Sequence, residues 1–192
     1  MKVLKFGGSS LANPARFRDV ADISSHYAAD TPVMLVLSAP QGVTNDLVAL
    51  VSAAQQGGDW QAALDSLQAR FEALIIDADP ALPEYERHAL LQAARDQVQV
   101  LADYAKGIAL LQHCPDPVQA RMLGTGEQFS VALMTASLKA RGLDAGALDA
   151  TRLVKSQGDY LNASADIPST IAAFTERKAQ GLPRISVMAG FV

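Results

Sequence analysis

Apolar residues along the chain fall into two patterns. The first is the short apolar run: VLKF at 3–6, VMLVL within TPVMLVLSAP at 31–40, and RISVMAGF at 184–191. Runs of this length predict strands. The unbroken Val33–Leu37 stretch predicts a parallel strand covered on both faces, and VLKF predicts a buried one. The second pattern repeats every three or four residues. In NPARFRDVADISSHY, Phe17, Val20, Ala21 and Ser24 share one stripe, the spacing of a helix lying on a sheet. Asn13 is placed to cap that helix, and Pro14 suits its first position. Strand, helix, strand in this order is a βαβ unit with a right-handed crossover.

The helical period returns from about Asp46. It holds almost throughout residues 58–113, where Asp79-Pro80 and Leu82-Pro83 punctuate it, and again from near Pro117 to Ala140, with a break expected at GTGE. Arg141-Gly142 is a stop signal. LDAGALD at 143–149 and RLVKS at 152–156 are weaker strand candidates, and Asp166 to Gln180 reads as a helix with Pro168 in its first turn. The fold class is therefore α/β: a mainly parallel sheet with helices on both faces, a three-layer αβα sandwich. A helical insertion at about 58–113 is expected to pack beside the sheet and to carry no chemistry. The chain stops just after a strand that would ordinarily feed a covering helix. It is thus expected to be part of something longer, with an exposed sheet edge at Val192 that favours self-association.

Composition narrows the partners. The 192 residues are 49% hydrophobic and carry a net charge of -4. A mildly acidic chain without a basic patch does not suggest nucleic acid. No apolar stretch approaches the ~20 residues needed to cross a bilayer, and no signal-peptide pattern opens the chain, so a cytoplasmic protein is expected. Cys114, the single cysteine, cannot form an internal disulfide and reads as a buried, inert thiol. His26, His88 and His113 are scattered, so no metal-ligand spacing is present. Trp60 and Tyr85 read as packing residues.

Three stretches could carry chemistry. Gly7-Gly8-Ser9-Ser10 follows the first strand, and glycines there would let backbone N–H groups approach phosphate oxygens; a plain strand-to-helix turn explains them equally well. Lys5 stands just before. An unpaired ammonium at the end of a buried strand is unfavourable unless an anion compensates it, which points to phosphate. The alternatives are a carboxylate partner or solvent at the rim. The lysine precedes the glycines, so this is not a Walker A loop. LSAPQGVTN follows the second strand and should open on the same carboxyl-end rim, offering Ser38, Thr44 and Asn45, though Asn45 could simply cap a helix. In Gly124-Thr125-Gly126-Glu127, the carboxylate either sits in the first turn of a new helix or faces an amine in a cleft.

Taken in order, KFGGSS, LSAPQGVTN and GTGE resemble the motifs of the aspartokinases of the amino-acid kinase family, and VMAGF resembles the strand before that family's next active-site loop. GIALLQHCPDPV further resembles the kinase portion of bifunctional aspartokinase–homoserine dehydrogenases. The resemblance implies transfer of the γ-phosphoryl of ATP, with Mg2+, to the β-carboxylate of L-aspartate, at the start of the route to lysine, threonine and methionine. NADP would be implied only if a dehydrogenase module follows. By the same resemblance, Lys5 neutralises charge on the transferring phosphoryl, and Gly7, Gly8 and Ser9 cradle phosphates. Ser38 and Thr44 lie at the substrate end, and Glu127 holds the aspartate ammonium. Residues 1–192 would be the N-terminal, amino-acid-binding part of the catalytic domain, from a homo-oligomeric parent. They lack the family's later G-R-G-G-S-D segment and its nucleotide-binding half, so the fragment is expected to be inactive alone. A non-catalytic folding or association unit that binds anions or aspartate is the other reading.

Overall fold

The computed structural model describes residues 1–191. In chain order it contains β1 (Lys2–Phe6), a 3-10 turn (Gly8–Leu11), α1 (Pro14–Asp30), β2 (Val33–Leu37), α2 (Val43–Gln55), α3 (Trp60–Ile76), α4 (Glu84–Leu111) and α5 (Asp116–Ala140). There follow β3 (Ala145–Ala147), α6 (Ala150–Leu153), the short antiparallel pair β4 (Ser156–Gln157) and β5 (Ser164–Ala165), α7 (Ile167–Ala179) and β6 (Ile185–Ala189). The main sheet is parallel throughout, in the order β1-β2-β6-β3.

Two layers of unequal thickness cover it. Leu35, Leu37, Ile185 and Val187 face a large core shared with α1 to α5. Met34 and Met188 face a small one formed with Leu148 just after β3, Leu153 of α6 and Phe174 of α7. Residues 58–113 hold α3 and α4, with the Asp79–Pro83 stretch as the turn between them. Phe71 of α3 stacks on Phe129 of α5, ring centres 4.1 Å apart, which joins this helical pair to the layer on the sheet. Trp60 packs at the margin of this core, whereas Tyr85 is exposed and lies outside it. Cys114 is buried, and burial pushes its thiol above the ordinary value, as expected of an inert cysteine.

Several expectations need correction. VLKF is not a buried strand. β1 is an edge strand, and Val3 and Lys5 pair in register with Met34 and Val36, on the side where α6 and α7 cover only the middle of the sheet. Val3 is 63% exposed as a result, and Lys5 is exposed too. β6 is not an edge: it lies between β2 and β3, and Val192 itself falls outside the described residues. RLVKS is not one strand: Arg152 and Leu153 close α6, which the Asp149 side chain caps by accepting the Thr151 N–H, and only Ser156 enters a strand, the short β4.

α2 begins at Val43 rather than Asp46. Gly42, in the left-handed region at φ 85°, turns the chain so that Asp46 N–H already reaches the Gly42 carbonyl. Thr44 and Asn45 are thus in the first helical turn, and Asn45 is not the cap. α5 runs unbroken through GTGE because burial of nearly every residue from Met122 to Leu138 outweighs the poor helix propensity of the glycines. Gly126 has a packing reason. A β-carbon there would stand 2.7 Å from Val43 Cγ1 and 2.8 Å from Ala39 Cβ, so only glycine lets α5 lie directly on the β2–α2 loop.

Two stability predictions follow from this packing. Gly126→Ala should destabilise the chain by about 1–3 kcal/mol, the usual range for overpacking. Gly124→Ala meets nothing within 4 Å and should stabilise it by up to about 1 kcal/mol. Urea midpoints at unchanged m-value read both. Arg141 at the end of α5 bonds both Asp79, whose side chain is 4% exposed, and Asp22, which is 71% exposed. Asp79→Ala strands the guanidinium beside a buried turn and should lose about 2–4 kcal/mol. Asp22→Ala removes a solvated partner and should lose under about 1 kcal/mol. The same denaturation measurement separates them.

Candidate active site

The parallel register sets the site. Phe6, Leu37 and Ala189 are partners at the carboxyl ends of β1, β2 and β6. The ladder continues one step further: Ser38 N–H donates to the Phe6 carbonyl and Gly190 N–H to the Leu37 carbonyl, each at 3.0 Å. The loops starting at Gly7, Ser38 and Gly190 therefore leave the sheet side by side, on one rim.

They also touch. GGSS folds as a tight 3-10 turn, with Ser10 N–H on the Gly7 carbonyl and Leu11 fully buried beneath it. A β-carbon on Gly8 would come within 3.0 Å of the Ala39 carbonyl and 3.4 Å of Gln41 Cα, so the first loop abuts the second. Lys5 Nζ lies 3.6 Å from where a Gly7 β-carbon would stand, which puts the ammonium directly over the glycine turn. Among the described residues Lys5 has no carboxylate within salt-bridge distance, and its exposure lets water solvate it. The burial argument for an anion partner therefore does not hold, and its place beside Gly7 is what the geometry supplies. Ser9 and Thr44 are exposed at the two loops.

Glu127 projects from α5 to the same place. It is only 9% exposed, and its Oε2 accepts the Phe191 N–H. Burial drives its pKa above the ordinary carboxylate value, more than the Phe191 and Gly190 amides, the Ser38 hydroxyl and the Ala39 backbone pull it down. A buried carboxylate held by neutral dipoles alone would gain from a cation, which would restore its charged form.

Of the seven residues singled out from the sequence, Lys5, Gly7 and Gly8 meet at the first loop, and Ser38 and Glu127 meet at the second and third. Ser9 and Thr44 share the rim without recorded side-chain hydrogen bonds. Two neighbours of the site escaped sequence reading, the Phe191 amide and Arg70 of α3, and the close approach at Gly126 went unread although GTGE had been singled out. Gly126 was visible as a glycine inside a helical pattern, which signals close approach. The Phe191 amide and Arg70 left no local sign. A cavity of about 830 Å³ opens on the same rim, lined by Arg121, Gly124, Gln128, Asp149 and Phe191. It contains none of the predicted site residues, and the convergence of motif loops rather than cavity size marks the site. Among the described residues no group of three or more His, Cys, Asp or Glu could hold a metal ion, and no helix is long and apolar enough to cross a membrane.

The chain is similar to known proteins in sequence and in fold. The chain is 27% identical, over its whole length, to the bifunctional aspartokinase/homoserine dehydrogenase of Buchnera aphidicola, covering 24% of that protein. It is 29% identical to the enzyme of the same name from Haemophilus influenzae, again over the whole chain and 23% of the relative. The chain thus spans about a quarter of the length of these curated relatives. Its fold matches the crystal structure of E. coli aspartokinase III in complex with aspartate and ADP at a TM-score of 0.83, with 23% identity over the whole chain and 40% of the other. Aspartate kinase from Clostridium acetobutylicum matches at 0.69, with 17% identity over 98% of this chain and 38% of the other. The expected α/β sheet with helices on both faces is borne out by these structures. The amino acid kinase family matches residues 1–192, end to end, and the chain belongs to that family.

Proposed function

We propose that the chain is the N-terminal, amino-acid-binding part of an aspartate kinase, with residues 58–113 as its helical insertion, and that the whole enzyme phosphorylates the β-carboxylate of L-aspartate. The observation that carries this reading is the buried Glu127 carboxylate at the meeting point of the three rim loops, beside Ser38. Its relatives are named aspartokinases, and one similar structure holds aspartate and ADP.

ATP would supply the phosphoryl group. The first loop fits a phosphate, since a side chain at Gly7 would fill the space under Lys5 Nζ, and glycine leaves it open. Lys5 would neutralise charge on the transferring group, and the backbone of Gly7, Gly8 and Ser9 would hold its oxygens. Any Mg2+ would arrive with the nucleotide phosphates, because these residues offer it no ligand cluster. Glu127 would take the ammonium of aspartate, and Ser38 and Thr44 would orient its carboxylate end. Holding donor and acceptor in line is most of what phosphoryl transfer requires of a protein. A cytoplasmic, homo-oligomeric parent accords with such a biosynthetic role.

Kinetics on the full-length gene product test the roles. Lys5→Ala should lower kcat about 100-fold or more with little change in KM for aspartate. Glu127→Ala should mainly raise that KM, since an ammonium partner acts in ground and transition states alike. A coupled ADP-release assay with aspartate as variable substrate reads both. Unchanged kcat in the lysine variant would overturn its assignment.

The raised pKa of Glu127 gives a stability signature. A carboxyl whose folded pKa lies above its unfolded one stabilises fully below the unfolded value and loses that contribution as pH rises through the folded value. Glu127→Gln keeps an acceptor for the Phe191 N–H without the charge. Its stability relative to the unsubstituted chain should therefore increase as pH rises from the ordinary carboxylate range through the raised folded value and then level off. Urea denaturation across that range measures the difference, and saturating aspartate should reduce it by pairing the carboxylate.

A further inference from the structure

Arg70 lies on α3, inside the helical pair expected to have no part in the chemistry, yet it reaches the rim. Its Nη1 donates to the Gln41 carbonyl at 3.0 Å, and its Nη2 lies 3.2 Å from Asp46 Oδ2. The same guanidinium lies against Gly42, where a β-carbon would stand 3.0 Å from Nη1. Gly42 also sits at φ 85°, so a side chain there would be both strained and in collision with the arginine. Asp46 Oδ2 is covered from solvent and forms no hydrogen bond of good geometry among the described residues, which leaves the Arg70 charge as its compensation.

These contacts enclose the turn by which the second rim loop becomes α2. On one side of that turn are Ser38 and Ala39, and on the other Thr44. Gln41 is also the residue against which Gly8 of the first loop packs. A single side chain from a different helix thus fastens the place where the two loops meet. No other residue of α3 or α4 donates a side-chain hydrogen bond to residues 38–46 among the described contacts.

We infer that Arg70 is a positioning residue for aspartate: by holding the Gln41 carbonyl and the Asp46 carboxylate it sets the β2–α2 turn so that Ser38 and Thr44 face the cleft floored by Glu127. The inference rests on the aspartate kinase reading above. It assigns Arg70 no contact with substrate.

The test uses the full-length gene product. Unsubstituted protein must first show aspartate-dependent ADP release; without it the functional reading fails, whatever Arg70 does. Given that activity, Arg70→Ala should raise KM for aspartate about tenfold, the scale of one lost charge-assisted hydrogen bond. The change in kcat should be smaller, and Arg70→Lys, which can still reach one acceptor, should recover part of the affinity. Arg95→Ala, which removes the Arg95–Glu72 ion pair between the same two helices but touches no loop, should leave KM unchanged. Arg70→Ala also strands Asp46, so a plain stability loss must be told apart. In the Arg70→Ala/Asp46→Ala double variant the stranded carboxylate is gone and thermal stability should recover, while KM stays high because the Gln41 carbonyl remains unheld. Recovery of KM together with stability would overturn the inference, as would an Arg70→Ala protein with normal KM.

Discussion

Everything at the rim depends on the parallel ladder staying in register at its carboxyl end. Phe6, Leu37 and Ala189 stand level, and the Ser38 and Gly190 amides extend the pairing by one residue into the loops. A slip of one residue would exchange the two faces of a strand and send its loop off at a different height. The register is held because one face is a large core, with Leu35, Leu37, Ile185 and Val187 fully buried, and an exchanged face would put Met34, Val36 and Ser186 there instead. Core packing thereby sets the geometry of groups some of which, such as Lys5, Ser9 and Thr44, are themselves exposed.

The second constraint is how closely the loops and α5 approach. Gly8 meets the Ala39 carbonyl, Gly126 meets Ala39 and Val43, and Gly42 meets Arg70. The first two contacts bring backbone next to backbone or to a short side chain, and the third sets backbone against a guanidinium, which leaves little room for the loops to shift. Close packing of this kind makes a site from loops that behaves like one built on rigid elements. It also explains why α5 stays helical through two glycines: the contacts made there outweigh their propensity penalty of about 1 kcal/mol each.

The electrostatics divide along the same lines. Glu127 is buried among neutral dipoles and held above its ordinary pKa, so it is poised to gain from a cation. Lys5 stands in solvent at the edge strand, over a glycine turn with exposed backbone. The two charges differ in kind. The carboxylate is preorganised by burial, whereas the ammonium is free to move with whatever anion it meets. On the proposed reading, Glu127 would be a fixed end for an amino group and Lys5 a mobile end for phosphate, which suits a reaction in which one group is held while another is transferred.

Local pattern was enough for much of this protein. The apolar runs marked β1, β2 and β6, the stripe on α1 named its buried residues, and Asn13, Asp166 and Gly142 sat where caps and stops belong. These are properties of neighbours in the chain, with periods of two or 3.6 residues, and a sequence displays them directly. The motif loops were legible for the same reason, since each lies within a few residues of its strand. What sequence could not supply was decided by partners distant in the chain. Whether Lys5 was buried depended on how far α6 and α7 extend over the sheet, and they stop short of β1. Whether GTGE broke a helix depended on the loop packed against Gly126. Arg70 reaches Gln41 across 29 residues and Phe191 reaches Glu127 across 64, and no periodicity joins them. Side-chain reach and burial are set by what the folded layers bring together, and that is determined only when the whole core is packed.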